Sequence, residues 1–151
     1  MATQYTAGLT AGQVLTAAIM NQIGAAWESY TPTLTQSATV TKTVTYAKYL
    51  QIQKLCIVNV RLDVTGAGTG GNAVVVGLPL TSAAGNGLQY GSATIYDAST
   101  ATNYAGRCYQ ASTTTINFTG DWSANGLFGT TPNIALAASD QIHFSIAYEV
   151  A

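Results

Sequence analysis

The chain has 151 residues, of which only 7% are charged, and five Lys+Arg oppose six Asp+Glu for a net charge of −1. A typical soluble domain carries about 25% charged residues, so the deficit excludes the clustered cations of a nucleic-acid binder and any acidic tail. No apolar run reaches the ~18 residues of a membrane helix, and no basic segment leads into an apolar one as in a signal peptide.

Polarity rests instead on Thr, Ser, Asn, Gln and Gly. Threonine suits strand surfaces, and Gly and Asn suit the turns between them. Low net charge also removes a barrier to self-association. The composition therefore points to a β-rich protein that lives in an assembly. Cys56 and Cys108 are too few for a disulfide framework and lack zinc spacing. They read as small core hydrophobes.

The first periodic segment runs from Thr10 to Trp27. Val14, Ala18, Ile19, Ile23 and Trp27 recur at three- and four-residue spacing, the stripe of a short α-helix. Leu15 lies beside that stripe, and Thr10 or Thr16 supplies an N-cap. No charge precedes Glu28, so this helix has no solvated counter-face and needs a surface to lie on. Pro32, in Tyr30-Thr31-Pro32-Thr33, ends the segment. Two parts are expected, an anchor or oligomerisation segment over 1–29 and a β head over 30–151.

Strands follow. Residues 39–46 alternate Thr39, Thr41, Thr43 and Thr45 against Val40, Lys42, Val44 and Tyr46. A hairpin turning at Gln53-Lys54 joins residues 48–52 to 55–64, with Cys56, Val58, Val60, Leu62 and Val64 on one face. The glycine-rich stretch 66–71 lacks the lysine of a phosphate loop and precedes a strand, so it reads as a hairpin connection. Further strands are expected over 72–78, 88–96, 104–110 and 113–119. The last, 141–150, turns Ile142, Phe144, Ile146, Tyr148 and Val150 inward. About eight short strands with turn signals between them predict a mainly β fold, an antiparallel β-sandwich of jelly-roll type, behind the N-terminal helix.

Chemistry is sparse. His143 is the single histidine and sits on a polar strand face. A nucleophile has no other imidazole to activate it, and the carboxylates are dispersed. No catalytic residue, metal ligand or cofactor is assigned. Glycan contact is the one site chemistry with suitable residues: Asp121, Trp122 and Asn125 in one loop, Tyr96 and Asp97 in another. The plainer reading makes Trp122 and Phe128 a plug at one end of the sandwich or at an intersubunit seam.

Residues 11–21, Ala-Gly-Gln-Val-Leu-Thr-Ala-Ala-Ile-Met-Asn, are followed by Trp27-Glu28-Ser29-Tyr30-Thr31-Pro32-Thr33 and by Val44-Thr45-Tyr46-Ala47-Lys48-Tyr49. This string resembles small structural proteins of tailed bacteriophages, of the fibre, minor-tail and head-decoration kind. There a short lead-in joins through a Trp-x-Ser-Tyr-Thr-Pro linker to a β head. The resemblance implies a virion component on the particle exterior, often a homotrimer, with no enzymatic activity. Its expected partners are other copies of itself and other virion proteins, with Val14, Leu15, Ala18, Ile19, Ile23 and Trp27 making the attachment. The favoured role is a tail fibre or minor tail protein that contacts the host surface, through a cell-surface glycan where one is used. The alternative is a capsid decoration protein or head fibre on the major shell. No nucleic acid and no membrane insertion enter this reading.

Overall fold

A computed structural model of the chain describes residues 14, 16, 26–83, 90–120 and 126–151. The protein is mainly β, and no helix occurs among the described residues. Its strands are β1 (Glu28–Ser29), β2 (Leu34–Gln36), β3 (Ala38–Thr39), β4 (Lys42–Ile52), β5 (Leu55–Val64), β6 (Val75–Gly77), β7 (Tyr90–Asp97), β8 (Thr102–Gln110), β9 (Thr115–Gly120) and β10 (Gln141–Glu149). All of them join one antiparallel sheet, in the order β1-β4-β5-β10-β7-β8-β9-β6-β2-β3. The ladder is continuous from end to end, where the sequence suggested two stacked sheets.

The sheet curls. β3 is its last strand and β4 its second, yet only Val40 and Thr41 connect them. The two ends must therefore meet. Val40 N–H donates to Leu34 O at 2.9 Å, and Thr41 O accepts from Thr65 and Gly66 N–H at 2.9 and 3.1 Å. Phe118 of β9 and Phe144 of β10 give a second measure. They are three strands apart, about 14 Å in a flat sheet, but their rings stand edge-to-face at 5.8 Å. The curled sheet is a half-barrel filled by its own inward side chains.

Period-two alternation places that core as the sequence predicts. Cys56, Val58, Val60, Leu62 and Val64 of β5 are buried, as are Ile142, Phe144, Ile146 and Tyr148 of β10. β10 lies between β5 and β7, with both edges paired. Leu34, Val76, Ile116 and Phe118 close the interior from the other half. Cys56 and Cys108 are free and buried. The hairpin of β4 and β5 turns at Gln53-Lys54, with Ile52 opposite Leu55.

The structure bears on three further expectations. The helix over Thr10–Trp27 lies outside the described residues except for Val14, Thr16, Ala26 and Trp27, and none of these four is helical. At the expected boundary between 29 and 30, Glu28 and Ser29 already belong to the sheet, pairing with Tyr49 and Lys48 as β1. Tyr49 O–H donates to Glu28 Oε2 at 2.7 Å, so the head begins before Tyr30. The glycine-rich stretch is not a hairpin connection either. It carries the chain from β5, third in the sheet, to β6, eighth. Gly68 N–H donates to Leu136 O at 2.7 Å on the way. A Cβ on Gly68 would strike the Gln36 side chain, so close packing, not turn geometry, explains this glycine.

Buried polar groups tie the loops down. Gln36 Nε2 donates to Asn72 O and Ile134 O at 3.1 and 2.7 Å, and its Oε1 accepts from Leu136 N–H at 2.8 Å. The two Asp140 oxygens accept from Ala98 and Ala137 N–H at 2.9 and 2.8 Å. An amide with its donors and acceptor satisfied carries little desolvation penalty, and losing its partners is what would cost.

Candidate functional site

The outer face of the sheet is built from the residues that alternate with the core. Register arranges them in rows running across the strands. One row is Tyr46–Arg61–His143–Thr94, from β4 through β5 and β10 to β7. Beside it runs Thr43–Asp63–Gln141–Tyr96–Asn103. On its other side runs Lys48–Asn59–Ser145–Ser92–Arg107. The next row changes character, to Leu50–Ile57–Ala147. The last is Ile52–Leu55–Glu149, at the hairpin tip. One face thus has a polar half and an apolar end.

The polar half is hollowed. Two depressions of ≈ 340 and ≈ 410 Å³ share Thr94 and His143 and form one groove. Tyr46, Asn59 and Arg61 line one part, and Tyr96, Asn103 and Gln141 the other.

A β-bulge places Tyr46 there. Val44 pairs with Leu62 but Tyr46 pairs with Arg61, so Thr45 is the extra residue. In an unbroken ladder Tyr46 would share the face of Val44, because a one-residue slip exchanges the two faces. The bulge instead turns its ring outward, where it is 42% exposed and has Lys48 Nζ 5.5 Å from its centroid. Alternation alone puts Tyr46 with Val44, and sequence reasoning missed it for that reason.

Charge in the groove is neutralised locally. Arg61 Nε–H donates to Asp63 Oδ1 at 3.3 Å, and Thr45 donates its hydroxyl to Asp63 Oδ2. The Thr45 hydrogen bond, helped by Arg61, holds the Asp63 carboxyl below its usual pKa. Partial burial pushes His143 below the usual histidine value; the adjacent Arg61 adds to this and Asp63 opposes it. His143 Nε2 lies 3.3 Å from Gln141 Oε1. The groove therefore offers amides, hydroxyls, two phenol rings and one internally paired ion pair.

The residues singled out from sequence do not converge. Tyr96 faces the groove, whereas Asp97, its neighbour, points to the opposite face and is 4% exposed. Both the N–H and the hydroxyl of Ser99 donate to Asp97 Oδ1, at 2.9 and 2.6 Å. Asp97 is thus committed to the β7–β8 turn. Asp121, Trp122 and Asn125 lie outside the described residues. Of the attachment stripe, Val14 and Trp27 are described and exposed, and Leu15, Ala18, Ile19 and Ile23 lie outside.

Among the described residues no group of three His, Cys, Asp or Glu side chains could hold a metal ion. Burial pushes the thiol of Cys108 up to about 12 and also raises that of Cys56. Neither supplies a thiolate near neutral pH. No protein-family model, curated protein or solved structure matches the chain.

Proposed function

We propose that this chain is a non-enzymatic structural protein of a tailed-phage virion. In this reading an oligomeric β head, most simply a homotrimer, is displayed on the particle exterior and attached through the N-terminal segment. The two halves of the curled sheet serve as the layers of a jelly-roll-like sandwich. The role favoured is a tail fibre or minor tail protein that touches the host surface.

The observation that carries this reading is the apolar end of the outer face. Leu50, Ile52, Leu55, Ile57 and Ala147 fall on neighbouring positions there, and Ile52 and Leu55 are 42% and 46% exposed; Trp27, the residue before β1, is 42% exposed as well. β1 lies on the same edge of the sheet, pairing with Tyr49 and Lys48 of β4, and no charged side chain precedes Glu28 in the sequence. An exposed apolar patch on a chain with so few charges, preceded in sequence by an uncharged segment, is the pattern of an interface. The resemblance in residues 11–33 supplies the particle.

Antibodies raised against the recombinant chain, gold-labelled on intact particles of the phage that encodes it, test the reading. Label at the tail supports the tail role, and label over the shell favours the capsid-decoration alternative. Particles that carry no label refute both.

A further inference from the structure

We propose that the polar groove on the outer sheet face binds a neutral oligosaccharide, held across the strands between Tyr46 and Tyr96. This gives a chemistry to the host contact read above and rests on that reading only for its biological setting, because the groove belongs to the isolated head.

The wall chemistry points to the class. Tyrosine combines an apolar ring face with a hydroxyl, which matches the apolar and polar surfaces of a pyranose. Tyr46 stands on β4 and Tyr96 on β7, three strand intervals apart in the sheet order. Between them lie Asn59, Thr94 and Gln141, with Asn103 beyond. These amides and hydroxyls both donate and accept, which is what a row of sugar hydroxyls needs. A phosphate or carboxylate ligand would call for unspent cations in the lining, but of the residues that line the groove Arg61 is the cation and it engages Asp63, while Lys48 lies over the Tyr46 ring at its edge. An apolar ligand would leave these polar side chains unpaired.

Shape points the same way. From β4 to β8 the groove crosses four strand spacings, about 19 Å. It lies on the solvent face of the sheet rather than within the core. A compact metabolite wants a cavity that buries most of its surface. A chain of rings lying across the sheet needs only a track. The bulge at Thr45 adds an independent argument: a bulge forgoes regular pairing and re-aims one side chain, and the side chain it re-aims forms one end of the track.

The experiment uses the full chain on an array of neutral and acidic oligosaccharides, followed by NMR titration with the strongest binder. Neutral oligosaccharides should bind, shifting the amide signals of Asn59, Thr94, His143 and Asn103. Tyr46→Ala and Tyr96→Ala should each weaken binding by roughly tenfold or more. Tyr46→Phe should retain most of it, because the ring face does the holding. Tyr90→Ala, at an exposed tyrosine outside the groove, should change nothing, and urea melts will show that each variant is folded. An array blank for neutral glycans overturns the proposal, as does binding that survives both alanine variants. Binding confined to acidic glycans and abolished by Arg61→Gln overturns the neutral class. Absence of the chain from virions would leave this result untouched, so the two readings fail separately.

Discussion

Phe144 shows what one side chain is worth in the apolar core. It is 5% exposed and meets Phe118 across the curl. Phe144→Ala leaves a cavity between the two halves and should cost about 3–5 kcal/mol, read as a lowered urea midpoint. Tyr30 runs the other way. Its ring is packed against the core, yet its hydroxyl has no hydrogen-bond partner among the described residues. A buried orphan hydroxyl is a net cost, so Tyr30→Phe should raise stability by about 1 kcal/mol. The buried phenols also set an alkaline limit. Burial raises the pKa of Tyr30 and Tyr148, and the Glu28 hydrogen bond together with burial lifts Tyr49 to about 12. All three exceed the unfolded value of 10.0. Their contribution is thus whole below pH 10 and is lost as pH rises through the folded values. Urea midpoints should fall steeply above pH 10, and phenolate absorbance should lag behind that of the unfolded chain. At the scale of residues, alternation made the core legible. Gln36 and Asp140 were not legible, because nothing in a single sequence distinguishes a buried, loop-tying amide or carboxylate from an exposed one.

Among the elements, β4 carries the lesson. Its hairpin with β5 and the turn at Gln53-Lys54 follow from the residues, but the stretches 39–46 and 48–52, read as two strands, merge into the single strand Lys42–Ile52. Its bulge does not, since the period-two rule assumes one unbroken register. The groove depends on that break, which is why Tyr46, Arg61 and His143 were not foreseen as neighbours. The glycine-rich stretch misled in a related way: composition marks a loop but not the distance it must cross. The bulge makes an unusual prediction. Deleting one residue from a strand ordinarily turns every side chain beyond it to the wrong face. Deleting Thr45 removes only the extra residue and leaves Val44 opposite Leu62 and Tyr46 opposite Arg61. That variant should fold with a regular ladder and an unchanged far-UV spectrum. Deleting Lys48, three residues on, should break the pairing of Tyr49 with Val58 and abolish cooperative unfolding. Equal damage from both deletions would mean that the bulge is not where the register shifts.

For the whole molecule, the governing fact is that a curled half-barrel still exposes an apolar corner. The inward side chains satisfy the curl, and among the described residues Ile52, at 42% exposure, and Leu55, at 46%, stay uncovered. Their pairing across the hairpin tip puts them side by side on the outer face, next to Leu50 and Ile57. Val14, the one described residue of the apolar stripe before Trp27, is itself 77% exposed. An oligomer in which copies meet at this corner removes both exposures at once. The full chain should therefore give an oligomer mass by light scattering at micromolar protein. Ile52→Asp with Leu55→Asp should reduce it to the monomer. Because both side chains stand outside the core, the double variant should keep the urea midpoint of the head. A chain starting at Ala26, which retains Glu28 and Ser29 and hence β1, should fold equally well and fail to join particles. If the double variant keeps its oligomer mass, the seam lies on another face. If the shortened chain cannot fold, the N-terminal segment belongs to the head's own core and cannot serve as a detachable anchor.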